Sequence, residues 1–247
     1  MFSALTGLLG FGIWTLDWVW LGGRYPADPL ARLALPRYEN RLFVPEVPAR
    51  AWKERISEKR ELRREDVVVL GGSQTWGSGA QLSGDVWTRR VERELNERWE
   101  QRAIRVLNFA RSRAITSEMV DRLDEHLGEH APPSAVVGVF SHNDLDAVAF
   151  GQSVIELWKR TARVGIPLIL VAEANCPSGR ARNLEANHEV LRKLTAGVPN
   201  VTLLEVQDDL DRVADSGFLW WDLVHLTTAG QTVLADLMAD RLEECLR

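Results

Sequence analysis

From about residue 66 to the end of the chain, short apolar runs alternate with longer segments of helical periodicity. The short runs predict buried strands at 67–70, 104–108, 135–140, 167–172 and 201–205. The longer amphipathic segments predict helices at 86–101, 116–129, 150–164, 187–195 and 228–246. This alternation predicts a doubly wound, flavodoxin-like parallel sheet of five strands flanked by helices, which is a three-layer α/β/α fold.

The first 65 residues do not follow this alternation. Residues 1–23 are apolar apart from Asp17 and a few small polar residues, and tryptophans cluster in this segment. That pattern predicts a membrane anchor, whereas the alternative is a segment that packs on the following domain of a soluble protein. Residues 24–65 contain five prolines followed by a charged stretch, which predicts a connector. The folded domain is therefore expected at 66–247. The sequence does not indicate on which side of a membrane this domain would lie.

Charge and cysteine content exclude some classes of protein. The net charge is −5 over 247 residues and no nucleic-acid motif is present, so we expect no nucleic-acid partner. The two cysteines, Cys176 and Cys245, make no disulfide framework. A His-x-x-Glu-His pattern at His126–His130 matches a zinc-peptidase motif, but a glycine inside it and two prolines after it favour an ordinary helix end. We therefore predict no metal site.

Candidate chemistry begins where the first predicted strand ends. The strand runs into Gly71-Gly72-Ser73, followed by Gly77, which predicts a tight turn with one hydroxyl at the carboxyl end of the strand. Ligands bind at this edge of open α/β sheets, so Ser73 is a candidate nucleophile. Serine is also a common helix N-cap, and the turn alone does not separate the two interpretations.

A second candidate pair precedes the last predicted helix. Asp222 and His225 are three residues apart, so one turn can bring the carboxylate to the imidazole. Nucleophilic catalysis by serine requires a base for the hydroxyl proton and an anion that orients the base. The pair also recurs by chance, and a histidine before a helix is often a cap or a surface residue.

Taken together, the motifs resemble those of the SGNH (GDSL) hydrolase family. The resemblance covers roughly 66–247 and rests on the Ser73 turn, the segment 106–113, the Ser141-His142-Asn143-Asp144 run and the Asp222–His225 pair. It implies that Ser73 is the nucleophile, His225 the base and Asp222 its partner. It also implies an oxyanion hole formed by the N–H of Ser73, the side chain of Asn143 and the N–H of Arg113.

Three residues depart from the family pattern. Gly72 replaces an aspartate that supports the turn, while Arg113 and Ser141 stand where the family has glycines. A residue with a Cβ adopts unusual backbone angles less readily than glycine. The departures therefore leave open a catalytically weak or inactive module that binds acylated glycan or a partner protein.

The predicted sheet supports the assignment without reference to the family. Ser73 follows the first strand, Arg113 the second and Asn143 the third, while Asp222 and His225 lie beyond the fifth. In a parallel sheet these loops share one edge, so the side chains can converge. Two further residues there, Glu173 and Asn175 after the fourth strand, are candidate substrate contacts, and the orientation of His142 is open.

The resemblance implies a serine esterase or acylesterase that forms an acyl-enzyme and needs no cofactor. Its implied partners are small-molecule, lipid or acylated-glycan esters. An acyltransferase with the same triad is the alternative that differs only in the group that accepts the acyl moiety.

Overall fold

The computed structural model describes residues 63–80, 83–99, 102–176, 182–213, 219–222 and 224–246. The predicted anchor at 1–23 and nearly all of the predicted connector lie outside these ranges and stay predictions. Among the described residues, no helix combines the length and the apolar character needed to cross a membrane.

The described part of the chain forms one parallel sheet of five strands in the order β2-β1-β3-β4-β5. The strands are β1 (Arg63–Gly71), β2 (Arg102–Asn108), β3 (Ala135–Phe140), β4 (Leu168–Ala172) and β5 (Val201–Glu205). Because β2 lies on one side of β1 and β3 on the other, the winding of the chain reverses there. The crevice beyond the carboxyl ends of β1 and β3 is the place where sheets of this order bind ligands.

Helices cover both faces of the sheet. They are α1 (Ser73–Trp76), α2 (Trp87–Arg98), α3 (Thr116–Glu129), α4 (Ala147–Arg163), α5 (Arg182–Thr195), α6 (Gln207–Asp211) and α7 (Thr228–Leu246). Side chains of α2 and α7 pack on one face, and side chains of α3, α4 and α5 pack on the other. The predicted three-layer α/β/α architecture is confirmed.

The central strand β1 explains how the two cores hold the sheet. Val67 and Val69 belong to the cluster on the α2 and α7 face, whereas Val68 and Leu70 belong to the opposite cluster. All four side chains are fully buried. Successive side chains of a strand point to opposite faces, so a segment covered on both faces is apolar at each of these four positions.

The observed bounds depart from the predicted ones where polar residues extend an element. β1 begins at Arg63 rather than at 67, and its charged residues Glu65 and Asp66 pair with Arg102 and Arg105 of β2. α4 begins at 147 rather than at 150, because the Asp146 side chain accepts the N–H groups that cap its first turn. Apolar periodicity cannot detect either extension, since ion pairs and caps carry no hydrophobic signal.

Candidate active site

Ser73, His225 and Asp222 form a continuous hydrogen-bonded chain. His225 Nε2 lies 2.8 Å from Ser73 Oγ, and His225 Nδ1 lies 2.7 Å from Asp222 Oδ2. The imidazole is about four-fifths buried, with 18% of its side chain exposed. This arrangement allows the imidazole to accept the serine proton at one nitrogen while the carboxylate holds the other.

Asp222 is held in its charged form by more than the histidine ring. Its Oδ1 accepts the backbone N–H groups of Val224 and His225, each at 2.7 Å. Burial by itself raises the pKa of Asp222, but the hydrogen bonds and charge of His225, with the Val224 N–H, outweigh burial and lower the pKa to about 2. A carboxylate that stays ionised fixes the orientation of the imidazole and stabilises its cation.

Hydrogen bonds from a buried side chain connect the loop that carries Asp222 and His225 to the Ser73 turn. Gln74, the residue after the serine, donates from Nε2 to the carbonyl oxygens of Val224 at 2.5 Å and Ala174 at 2.6 Å. Two glycines of the Ser73 turn have positive φ angles, +103° at Gly77 and +94° at Gly79. A Cβ at Gly79 would lie 2.2 Å from Leu226 O, so the two loops approach each other closely there. Sequence reasoning missed Gln74, because a buried glutamine that joins two loops leaves no local pattern.

Asn143 points one side-chain N–H at the loop after β2. Its Nδ2 donates to Ala114 O at 2.9 Å, which fixes the orientation of the amide. An amide nitrogen carries two hydrogens, so the second remains available to another acceptor. The backbone N–H groups of Ser73 and Arg113 have no acceptor in the described ranges. Each of the three donors predicted from the resemblance therefore has an N–H without an acceptor among the described residues.

The two positions where the family has glycine both adopt left-handed backbone angles. Arg113 has a φ of +64° and Ser141 a φ of +136°. For a residue with a Cβ, such an angle costs about 1–3 kcal/mol of conformational free energy, so contacts with the surrounding structure must stabilise it. The chain thus keeps the backbone geometry of a glycine at both places while it carries a larger residue.

Buried polar groups of α5 hold residues 141–144, which we call the oxyanion loop because they include the predicted oxyanion donor Asn143. Asn187 Nδ2 donates to the carbonyl oxygens of Ser141 and Asp144, both at 2.7 Å. His188 Nε2 lies 3.1 Å from Ser141 Oγ. Ser141, Asn187 and His188 are all buried. These bonds provide the support that the strained angle at Ser141 requires.

Glu173 and Asn175 do not occupy the open part of the site. Their exposed fractions are 3% and 0%, and both contact His142 rather than solvent. Burial raises the pKa of Glu173 to about 7, against the N–H of His142 that lowers it. The sequence-based hypothesis that they touch substrate gains no support, since both side chains are buried.

The zinc-motif histidines lie away from these residues, at the end of α3. The ring of His126 contacts Phe109 at a centroid distance of 5.2 Å and His130 at 4.8 Å. Within the described ranges, no group of three or more His, Cys, Asp or Glu side chains could hold a metal ion. His126 is buried in this contact, whereas 60% of the His130 side chain is exposed.

The fold is similar to several solved esterase structures. A two-domain esterase active on acetylated mannans has a TM-score of 0.62 at 18% identity, covering 79% of this chain and 53% of that chain. A lipolytic protein of the G-D-S-L family from Veillonella parvula has a TM-score of 0.59 at 14% identity, covering 71% and 96%. A variant of an acetyl xylan esterase from Geobacillus stearothermophilus has a TM-score of 0.60 at 17% identity, covering 72% and 95%.

These likenesses establish the fold. The chain spans about half the length of the two-domain esterase. No family model matches the sequence, and the search of curated proteins found no match. The fold implied by the resemblance to SGNH (GDSL) hydrolases is confirmed, while the roles of individual residues rest on the geometry described above.

Proposed function

We propose that this protein is a serine esterase that hydrolyses carboxylic esters through Ser73, His225 and Asp222. The observation that carries the proposal is the unbroken chain from Ser73 Oγ to Asp222 Oδ2, with contacts of 2.8 Å and 2.7 Å. A serine hydroxyl is a poor nucleophile unless a base takes its proton, and His225 Nε2 lies within hydrogen-bond distance of it.

The reaction would proceed in two halves. Ser73 Oγ attacks the ester carbonyl carbon while its proton moves to His225 Nε2, and Asp222 stabilises the resulting imidazolium. The tetrahedral intermediate collapses when the carbon–oxygen bond to the alcohol breaks and His225 returns the proton to the departing oxygen. A water molecule then attacks the acyl-enzyme by the same proton path and releases the acid and the free serine.

The negative oxygen of each intermediate would lie among three donors. They are the N–H of Ser73, the second side-chain N–H of Asn143 and the N–H of Arg113. Pre-positioned donors of this kind are each worth about a hundredfold to a thousandfold in turnover. The left-handed angle at Arg113 turns its peptide in the manner of a glycine, which supports its inclusion.

The substrate class is proposed as carboxylic esters with a small acyl group, including acetylated glycans. Two of the similar structures belong to proteins named for acetylated mannans and acetyl xylan. Ser73 and His225 are partly buried and lie beyond the carboxyl edge of the sheet, which is the edge where sheets of this order bind ligands. Lipid esters stay an alternative, and they gain weight only if residues 1–23 anchor the chain at a membrane.

Hydrolysis of p-nitrophenyl acetate by the full chain tests the proposal. Ser73→Ala should abolish turnover above background, because the nucleophile is removed. Ser78→Ala is the matched control, since Ser78 is a half-exposed serine one turn away that makes no side-chain contact with His225. A folded wild type without turnover on short esters, or equal activity in Ser73→Ala, would reject the esterase in favour of a non-catalytic binding module.

A further inference from the structure

His142, which directly precedes Asn143, is fixed at two points by the segment that follows β4. Its backbone N–H donates to Glu173 Oε2 at 2.9 Å, and its Nδ1 lies 3.1 Å from Asn175 Nδ2. Both partners are buried, whereas the His142 ring is half-exposed. A ring that is half-exposed yet held from behind presents its other edge in a defined direction.

The contact with Asn175 indicates which nitrogen of His142 carries the proton. With the Asn175 amide in the orientation of the structure, Nδ2 donates to Nδ1, and the neutral ring then has its hydrogen on Nε2. Burial, followed by the charge of His225, lowers the pKa of His142. The ring is therefore neutral at neutral pH and is a donor at Nε2.

The Nε2 atom has no protein partner in the described part of the chain. The His142 ring makes its side-chain hydrogen bond through Nδ1. Nε2 is not a buried atom, so solvent reaches it. The ring belongs to the residue directly before Asn143, and its pKa responds to the charges of both His225 and Asp222. A solvent-accessible N–H is thus offered one residue away from the proposed oxyanion donor.

The support behind His142 extends to α6. The backbone of Asn175 exchanges two hydrogen bonds with Gln207, whose Oε1 accepts the Asn175 N–H at 2.8 Å and whose Nε2 donates to Asn175 O at 2.9 Å. The Asn175 side chain makes its hydrogen bond with His142, while its Oδ1 is buried without a hydrogen-bond partner among the described residues. Asn175 is a positioning residue for the ring.

We propose that His142 binds substrate by donating from Nε2 to an uncharged oxygen other than the ester carbonyl. A neutral donor matches a hydroxyl, ether or ring oxygen better than it matches an anion. That oxygen can belong to the alcohol part of the ester, as in an acylated sugar, or to the acyl part. The inference rests on the proposed esterase activity and adds a selectivity for esters that carry a further oxygen.

The tautomer of His142 gives a test that needs no activity. Nitrogen-15 NMR of the histidine-labelled full chain, assigned with His142→Gln, should show the hydrogen on Nε2 in the wild type. Asn175→Asp replaces the donor by an acceptor, so the hydrogen should move to Nδ1. A wild-type ring with its hydrogen on Nδ1 would overturn the proposal.

Kinetics then test the binding role with three esters: phenyl acetate, phenyl methoxyacetate, which adds an oxygen to the acyl part, and an acetylated methyl glycoside, which adds oxygens to the alcohol part. His142→Phe keeps a ring but loses the donor. It should lower kcat/KM for one oxygen-bearing ester relative to phenyl acetate by about five- to tenfold, mainly through KM. His142→Gln, which returns an N–H near the position of Nε2, should recover part of that ratio.

The outcomes separate this inference from the esterase proposal. A wild type that hydrolyses none of the esters rejects the esterase and, with it, this role. An active wild type whose ratios are unchanged in His142→Phe rejects the binding role alone. The same holds if all three esters lose activity equally, since that result indicates a structural role.

Discussion

The two halves of the candidate site are built in different ways. The triad half uses a local Asp222–His225 turn and one contact across the sheet edge to Ser73, and its residues match the SGNH pattern fully. The oxyanion half departs from that pattern at Arg113 and Ser141, and both residues adopt positive φ angles. One half is therefore specified by a short motif, whereas the other depends on residues that lie far away in the sequence.

Buried hydrogen bonds support the serine that stands in place of a glycine in the oxyanion loop. Ser141 keeps the unusual angle because its carbonyl oxygen accepts from Asn187 and its hydroxyl contacts His188. The structure thus offsets a local cost of about 1–3 kcal/mol with buried hydrogen bonds from α5. The backbone therefore adopts an angle that favours glycine at a position that carries a serine.

The largest expected effect lies in the triad half. In Asp222→Asn, the amide oxygen should keep the N–H groups of Val224 and His225, so its NH₂ group would face His225 Nδ1. The ring would then carry its hydrogen on Nε2 and could not take the Ser73 proton. We expect kcat to fall by about a thousandfold to ten-thousandfold with little loss of stability, measured by ester hydrolysis and thermal unfolding. A fall of less than tenfold would contradict the assigned role.

Removal of the side-chain donor should have the next largest effect. Asn143→Ala deletes the second N–H offered to the oxyanion and the bond to Ala114 O. We expect kcat to fall by about a hundredfold to a thousandfold, while the lost bond lowers stability by only about 1 kcal/mol. A stability loss of that size with unchanged kcat would show that Asn143 serves only to join the two loops.

Glu173 behind the oxyanion loop should make stability depend on pH. Burial raises its pKa from 4.5 to about 7, so the native state binds this proton more tightly than the unfolded state does. The stabilisation is fully present below about pH 4.5 and is lost as the pH rises through about 7, a change of about 3 kcal/mol. Urea denaturation from pH 4.5 to 7.5 should show this loss in the wild type and not in Glu173→Gln.

An exposed glutamate of α5 provides the control for that experiment. Glu189→Gln should follow the wild-type pH dependence, because the Glu189 side chain is 51% exposed. A Glu173→Gln variant that loses stability with the same slope would contradict the buried carboxyl as the source.

The smallest effect is expected where the family aspartate is missing. A Cβ at Gly72 would lie 2.9 Å from Asn143 Nδ2, so Gly72→Ala should displace the donor by a few tenths of an ångström. We expect kcat to fall by about tenfold. Gly84→Ala is the matched control, since a Cβ at Gly84 meets nothing within 4 Å. Equal kcat in the two variants would show that the position of Asn143 tolerates this displacement.

The sequence predicted the layers of the fold better than it predicted the support of the site. Apolar alternation was sufficient for the strand at 135–140 and the helix at 228–246, whose observed bounds are the predicted ones. It could not reveal that Gln74 joins two loops or that Asn187 holds Ser141, because a buried amide leaves no periodic signal. Glu173 and Asn175 lie at the predicted edge of the sheet but are buried against His142, since a sequence does not specify which way a side chain turns.

The activation of Ser73 by His225 is the central claim, and covalent labelling tests it most directly. The full chain would be treated with a fluorophosphonate, and the modified peptide would be identified by mass spectrometry. We expect one adduct, on Ser73, which is absent from Ser73→Ala, strongly reduced in His225→Ala and retained in Ser78→Ala. A folded wild type that stays unlabelled, or an adduct that persists in Ser73→Ala, would contradict the account.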